Sequence, residues 1–156
     1  MQSLISCESE GYIVVKLNGE QKEDILSDIA NELFREGYVK NTYSKAILAR
    51  EEKFPTGLPT PGIGIAIPHT DSEHVLKEGI ALGILDNPVK FNLMGGCEKD
   101  TVDVEIVFML AIKEKEAQLE MLQKLVTTFQ DENKLKILKN TDKLENIEMI
   151  MKELKK

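Results

Sequence analysis

The residues with the clearest chemical potential lie in positions 56–75, which hold both histidines, three of the five prolines and three of the ten glycines. His69 directly follows Pro68, which disfavours a helical conformation for the residue before it. The short apolar run at 63–67 should therefore stay extended up to the histidine. A lone histidine often has only a structural role, but strand ends are where sites concentrate. With an ordinary pKa of ~6.5, a neutral and nucleophilic His69 could accept a phosphoryl group.

Residues 70–73, Thr-Asp-Ser-Glu, match the capping-box pattern that begins many helices. We expect a short helix there, with His69 just outside its N-terminus, where unpaired backbone N–H groups favour anions. Thr70 and these N–H groups would then hold phosphoryl oxygens. Acidic groups beside a phosphate cost energy, so the carboxylates of Asp71 and Glu73 are expected to turn toward the helix cap.

Arg50 and His74 are further candidates for binding phosphate. Arg50 falls at the end of a predicted helix, where an arginine either compensates the helix dipole or presents a planar guanidinium to two phosphate oxygens. His74 is either a surface side chain or a hydrogen-bond partner of His69 or of a phosphate. No metal and no cofactor is expected, since zinc needs three or four convergent ligands and only Asp71 and Glu73 lie near the histidines in sequence.

The elements that must position these residues alternate between strand and helix patterns. Strands are predicted at 11–17, 63–67, 79–85, 89–93 and 102–112, with loops or turns at 56–62, 86–88 and 94–101. Helices are predicted at 23–36, 42–52, 114–129, 131–138 and 142–154. This order favours an α/β fold, a three-layer-like sandwich in which helices cover both faces of a mixed central β-sheet, in a single domain spanning residues 1–156.

Composition excludes several classes of function. A chain of 156 residues with net charge −7 suits one globular domain and argues against a nucleic-acid partner. No apolar run is long enough to span a membrane, and the N-terminus lacks the pattern of a signal peptide. We therefore expect a cytoplasmic protein without membrane insertion, in which Cys7 and Cys97 are free thiols.

Three motifs give the chain a resemblance to a known family. AILARE (46–51), GIGIAIPHTDSEHV (62–75) and VEIVFMLAI (104–112) are similar in order and spacing to the enzyme IIA domain of the fructose/mannitol-type bacterial sugar phosphotransferase system. The likeness covers about residues 4–154. It implies that His69 accepts a phosphoryl group from the carrier protein HPr and passes it to a cysteine of enzyme IIB. The membrane enzyme IIC would then deliver the sugar, and Arg50 would neutralise phosphoryl charge.

One position departs from the mannitol and fructose members of that family, which carry a second active-site histidine at the start of the helix after the long strand. The matching residue here is Gln118, whose amide can hydrogen-bond an imidazole or a phosphate but carries no charge. A glutamine there, together with His74, is similar to the galactitol branch. The resemblance thus implies a galactitol-like sugar or polyol, and leaves open whether His74 or Gln118 assists His69.

Three other functions compete with sugar transport. A regulatory protein, as in the nitrogen-related branch, would be phosphorylated but would act by controlling other proteins, and neighbouring genes for IIB and IIC would argue against it. A non-catalytic binding module of the same fold would not need both His69 and Arg50. A zinc hydrolase built on His69 and His74 lacks further ligands.

Overall fold

The computed structural model describes residues 11–140 and 143–154, together with the backbone of residues 3–7; of Leu144 it describes the backbone only. The strands are β1 (Ser3–Cys7), β2 (Tyr12–Leu17), β3 (Gly57–Leu58), β4 (Gly64–Ala66), β5 (Gly79–Asn92) and β6 (Thr101–Ala111). The helices are α1 (Lys22–Arg35), α2 (Tyr43–Lys53), α3 (Lys115–Thr128), α4 (Glu132–Asn140) and α5 (Leu144–Leu154), and a single 3₁₀ turn covers Ser72–His74. No helix in the described ranges is long and apolar enough to cross a bilayer.

The strands form one mixed sheet in the order β1-β2-β5-β6-β4-β3. β2 runs parallel to β5 and β4 parallel to β6, while the other neighbouring strands are antiparallel. Alternate side chains of the inner strands enter opposite layers: Ile13 and Val15 pack in the core with α1 and α2, whereas Tyr12 and Val14 pack in the core with α3, α4 and α5. The predicted α/β sandwich, with a mixed sheet covered by helices on both faces, is confirmed.

Close packing fixes the helices on the sheet. A Cβ atom at Gly83 would lie 2.6 Å from Cδ1 of Ile29, so the glycine allows α1 to approach β5 closely. On the opposite face, the rings of Phe108 and Phe129 stack with centroids 4.7 Å apart. The buried hydroxyl of Tyr43 donates to the carbonyl of Leu110 at 2.6 Å, which anchors the start of α2 to β6.

The turn predicted at 86–88 is wrong. β5 continues through these residues, and its register with β6 shifts between Ile84 and Val89. A shift of this kind marks a bulge, where the missing N–H of Pro88 costs the strand no ladder hydrogen bond. The proline therefore interrupts the pairing without ending the strand, and the two predicted strands are one.

Two further differences lie at the edges of the sheet. The predicted loop at 56–62 contains β3, a two-residue strand that pairs antiparallel with β4, and β4 itself is shorter than the predicted strand at 63–67. β1 was not predicted, and it pairs antiparallel with β2. The predicted helix start at residue 142 and the side chain of Cys7 lie outside the described part of the chain. Cys97 is a free, exposed thiol, as expected.

Candidate active site

An open cleft of about 410 Å³ lies where the second half of α2, the segment after β4, and the β6–α3 connection meet. It combines basic, acidic and amide side chains, so it is suited to a polar, charged group and not to an apolar ligand. The residues that line it are Arg50, Asp71, Ser72, Glu73, Ile112, Lys113, Lys115 and Gln118.

His69 lies on a backbone segment that is held from β6 and from α3. The N–H of Leu110 donates to the carbonyl of Pro68 at 3.0 Å. The side-chain amide of Gln118 donates to the carbonyl of Thr70 at 3.3 Å. Pro68 and Thr70, which flank the histidine, are therefore fixed by separate elements. Gln118 forms its hydrogen bond with the backbone of Thr70 and not with the His69 ring.

The hydrogen bond of the His69 ring identifies its reactive nitrogen. Nδ1 lies 2.9 Å from the carbonyl oxygen of Ile67. A carbonyl oxygen only accepts hydrogen bonds, so Nδ1 must carry the ring proton. In the neutral ring Nε2 then keeps its lone pair, which makes Nε2 the nucleophilic atom.

The surroundings of His69 favour the neutral, nucleophilic ring. Burial lowers the pKa of His69, and the positive charge of Arg50 lowers it further, while the hydrogen bond to Ile67 acts in the opposite direction. The net result is a pKa below the ordinary 6.5, so the ring is unprotonated at neutral pH. The charge of Arg50 thus acts in the same direction as burial on the ring of His69.

Arg50 has polar atoms that the described protein groups do not satisfy. Its Nε is buried and has no hydrogen-bond partner among the described residues, and no described carboxylate forms an ion pair with its guanidinium. The guanidinium carbon lies 4.5 Å from the centre of the Phe54 ring, which supports it from one side. The charge of Arg50 therefore remains available for an anion beside His69.

The capping box predicted at Thr70 is wrong, and the short helix expected after it is a single 3₁₀ turn. The chain forms only the 3₁₀ turn, which Asp71 precedes in an extended conformation and without a side-chain capping bond. Val75 is extended again and bridges to Val39, so no further turn of helix can form. The carboxylates of Asp71 and Glu73 do not serve a cap but line the cleft, contrary to expectation. A single turn leaves no long helix whose dipole could act on an anion.

His74 is not among the residues that line the cleft, although it contacts one of them. Its Nδ1 lies 2.8 Å from the hydroxyl of Thr42, and its Nε2 lies 3.8 Å from a carboxylate oxygen of Glu73. These contacts connect the 3₁₀ turn to the start of α2. The structure thus brings Arg50 and Gln118 toward the His69 segment but gives His74 other partners.

Sequence reasoning missed three residues of this region. Lys113 and Lys115 line the cleft, so that with Arg50 it has three basic and two acidic lining residues. Glu51 is buried beside Arg50 on α2, and both of its carboxylate oxygens accept hydrogen bonds from Thr56. The position of Glu51 directly after Arg50 in AILARE was a signal for Glu51, whereas nothing in the local sequence marked the lysines. Within the described ranges, no group of three or more His, Cys, Asp or Glu residues could hold a metal ion.

Comparisons with known proteins agree on one family. The family model for "Phosphoenolpyruvate-dependent sugar phosphotransferase system, EIIA 2" matches residues 7–154. The galactitol-specific EIIA component of Escherichia coli K12 is 32% identical over 102 residues, which are 65% of this chain and 67% of that protein. The nitrogen regulatory protein of Pseudomonas aeruginosa is 32% identical over 119 residues, 74% of this chain and 72% of that protein.

A solved structure shows the same fold over nearly the full length. The crystal structure of the mannitol IIA protein from Escherichia coli superposes with a TM-score of 0.73 at 25% sequence identity. The match covers 94% of this chain and 99% of that one. The sandwich described above is therefore an architecture that this relative shares.

Proposed function

Because this chain belongs to the EIIA 2 family of the phosphoenolpyruvate-dependent sugar phosphotransferase system, we propose that Nε2 of His69 is the atom that carries the phosphoryl group. Proteins of this family are phosphotransferases that act through a phosphohistidine. The observation that carries the assignment is the hydrogen bond between Nδ1 of His69 and the Ile67 carbonyl, next to the unpaired charge of Arg50.

The loading step is an in-line displacement at phosphorus. The Nε2 lone pair attacks the phosphorus of the donor phosphohistidine while the donor P–N bond breaks, and the released electron pair stays on the donor ring nitrogen. The proton on Nδ1 of His69 remains in its hydrogen bond to Ile67 throughout. The ring becomes positively charged as the new P–N bond forms, and the carbonyl of Ile67 stabilises this charge.

The unloading step reverses the roles of nucleophile and leaving group. A cysteine thiolate of the acceptor attacks phosphorus, an S–P bond forms and the P–N bond breaks, returning the electron pair to Nε2. The burial and positive charge that lower the pKa of His69 also make its ring a better leaving group, because they favour the neutral imidazole. The same environment thus serves transfer in both directions.

Fixed donors around the cleft stabilise the equatorial phosphoryl oxygens. Arg50 supplies a guanidinium with an unpaired Nε, and Lys113 and Lys115 supply further positive charge. Gln118 acts mainly by holding the carbonyl of Thr70, and Thr70 itself contributes its backbone or hydroxyl group. His74, bound to Thr42, acts from the outer edge of this arrangement.

The partners follow from the family. HPr is the proposed donor and enzyme IIB the acceptor, with the membrane enzyme IIC served indirectly and the chain itself in the cytoplasm. The likeness to a galactitol-specific EIIA component, together with glutamine at position 118, supports a galactitol-like sugar or polyol as the transported compound.

A regulatory role is the second candidate, and the likeness to a nitrogen regulatory protein favours it. In that case phosphorylation of His69 would change the affinity of this chain for another protein instead of feeding a transporter. Transfer of phosphate from this chain to a IIB cysteine distinguishes the two roles, since a purely regulatory protein would retain its phosphoryl group in that assay.

The assignment is tested by incubating the protein with phosphoenolpyruvate, enzyme I and HPr and measuring acid-labile phosphate on the chain. His69→Ala should take up none, whereas the matched variant His74→Ala should be labelled to the wild-type level, more slowly if His74 contacts phosphate. Wild-type labelling of His69→Ala would overturn the assignment.

A further inference from the structure

A buried hydrogen-bond chain begins at Glu51, on the helix that also carries Arg50. Glu51 is only 4% exposed and Thr56 only 1%. One carboxylate oxygen of Glu51 accepts from the backbone N–H of Thr56 at 2.8 Å, and the other accepts from the Thr56 hydroxyl at 2.7 Å. The two donors of Thr56 therefore fix both oxygens of the carboxylate.

Thr56 also holds the end of the strand that precedes His69, through hydrogen bonds with Ile67. The N–H of Ile67 is shared between the Thr56 hydroxyl oxygen at 3.2 Å and the Thr56 carbonyl at 3.3 Å. The carbonyl of Ile67 in turn accepts the hydrogen bond from Nδ1 of His69 at 2.9 Å. A path of hydrogen bonds, buried up to Ile67 and partly buried at the ring, thus runs from the carboxylate to the imidazole.

We propose that Glu51 is a positioning residue for His69, which fixes the ring orientation and the Nδ1–H tautomer through Thr56 and Ile67. The inference rests on the phosphoryl-carrying role of His69 proposed above. Because Nε2 is reactive only while Nδ1 holds the proton, loss of this order would reduce the fraction of His69 that is competent for transfer. Glu51 touches neither the phosphoryl group nor its donor.

Burying a carboxylate at position 51 lowers the stability of the fold, so a residue with only a packing role would be apolar here. A carboxylate near the C-terminal end of a helix opposes the helix dipole, and burial adds a desolvation cost. Burial accordingly raises the pKa of Glu51, while the two hydrogen bonds from Thr56 and the charge of Lys22 oppose that rise. A carboxylate offers two acceptors in one plane, which matches the N–H and O–H donors of Thr56, and a neutral amide cannot provide both.

α2 then contributes to the site in two ways. Arg50 acts on the ring by its charge and Glu51 by its geometry, and both are anchored by the same helix. A displacement of 1 Å at a reacting centre can cost about 100-fold in rate. The gain in rate from a fixed His69 ring can therefore outweigh the loss of stability from burying the Glu51 carboxylate.

The test uses Glu51→Gln, which keeps the size of the side chain but loses one acceptor and the charge. Glu52→Gln is the matched control, because Glu52 is the next residue of α2 and is exposed. The first readout is the ¹⁵N spectrum of the His69 ring without any partner, where we expect the Nε2–H tautomer to gain population only in Glu51→Gln. The second is transfer from phospho-HPr, where kcat should fall about 10- to 100-fold with KM unchanged.

A second pair of variants keeps the proposal testable if Glu51→Gln fails to fold. Thr56→Val removes the hydroxyl at constant shape and should reproduce the tautomer change, whereas Thr56→Ser restores the hydroxyl and should restore the wild-type spectrum. A wild-type tautomer ratio in both Glu51→Gln and Thr56→Val would overturn the proposal, even if both variants were less stable. Because the spectrum needs no partner, this result is distinguishable from a failure of His69 to be phosphorylated.

Discussion

At the scale of single residues, the proposed chemistry depends on one imidazole, His69, whose surroundings favour its neutral form. The sequence proposes His69 because the Pro-His step and the preceding apolar run mark it, and it proposes Arg50 through AILARE; the structure places the charge of Arg50 where it acts on the His69 ring. The directions of the Asp71 and Glu73 side chains could not be predicted from the sequence, because they depend on whether one or several helical turns follow Thr70. Lys113 and Lys115 reach the cleft through tertiary contacts, which no local pattern encodes, whereas Glu51 is marked only by its place beside Arg50 in AILARE.

Arg50→Gln should raise the pKa of His69, because it removes the positive charge that disfavours the protonated ring. The pKa should remain below the ordinary value, since burial is the larger cause and is retained. An NMR titration of the His69 ring measures this. Arg35→Gln, which removes an exposed arginine paired with Glu32 on α1, is the control and should leave the titration unchanged. An unaltered His69 pKa in Arg50→Gln would show that the charge of Arg50 does not act on the His69 ring.

The stability of the wild-type protein should fall as the pH decreases from about 6.5 toward the lowered pKa of folded His69. In that window the unfolded chain binds a proton at His69 that the folded chain does not, so acid favours unfolding. His69→Gln should lack this component of the pH dependence. Urea unfolding of both proteins between pH 7.5 and 5 measures the difference, and parallel curves for the two would contradict the lowered pKa.

At the scale of elements, the sequence predicted the helices and inner strands well, because their apolar periodicity follows from burial on one or both faces. It failed where backbone pairing overrides local signals. Asp86, Asn87 and Pro88 have turn-forming side chains, yet pairing of β5 with β6 carries the strand through them as a bulge. β3 is only two residues long and is defined by its partner β4, so its own sequence cannot identify it.

Gly64→Ala should destabilise the fold and slow phosphoryl transfer, because β4 lies against β6 without room for a side chain. A Cβ atom at Gly64 would lie 2.2 Å from the carbonyl oxygen of Asp103, so the backbone must move. We expect a loss of about 1–3 kcal/mol in the free energy of unfolding.

Gly62→Ala is the matched control two residues away, since its nearest contact would be the Cβ atom of the Glu132 side chain at 3.0 Å. Its cost should be clearly smaller. Urea denaturation measures both variants, and equal stabilities would show that β4 does not depend on this close approach.

At the scale of the whole molecule, the proposed transfer requires two partners to reach Nε2 of His69 in turn, so they must use overlapping surfaces around His69. Two large exposed apolar side chains neighbour residues of the cleft: Phe54, whose ring contacts Arg50, is 56% exposed, and Leu119, which follows Gln118 in the chain, is 57% exposed. Exposed apolar groups beside a charged site are typical of protein docking surfaces.

Leu119→Asp should therefore raise KM for phospho-HPr and for the IIB acceptor, with little effect on folding, because the side chain is exposed. Met149→Asp on α5 is the control, since Met149 is 71% exposed but lies on a different helix from the cleft residues. Steady-state transfer kinetics with each partner measure both variants. Equal KM values for the Leu119 and Met149 variants would place the docking surface elsewhere.

Locating the phosphorus on the loaded protein is the most direct test of whether Nε2 of His69 carries the phosphoryl group. The protein is labelled with ¹⁵N on its histidine rings, phosphorylated through enzyme I and HPr, and studied by ³¹P and ¹⁵N NMR. A P–N coupling to Nε2 of His69, with the proton retained on Nδ1, is the predicted result. Coupling to Nδ1 of His69, or to a ring nitrogen of His74, would contradict it.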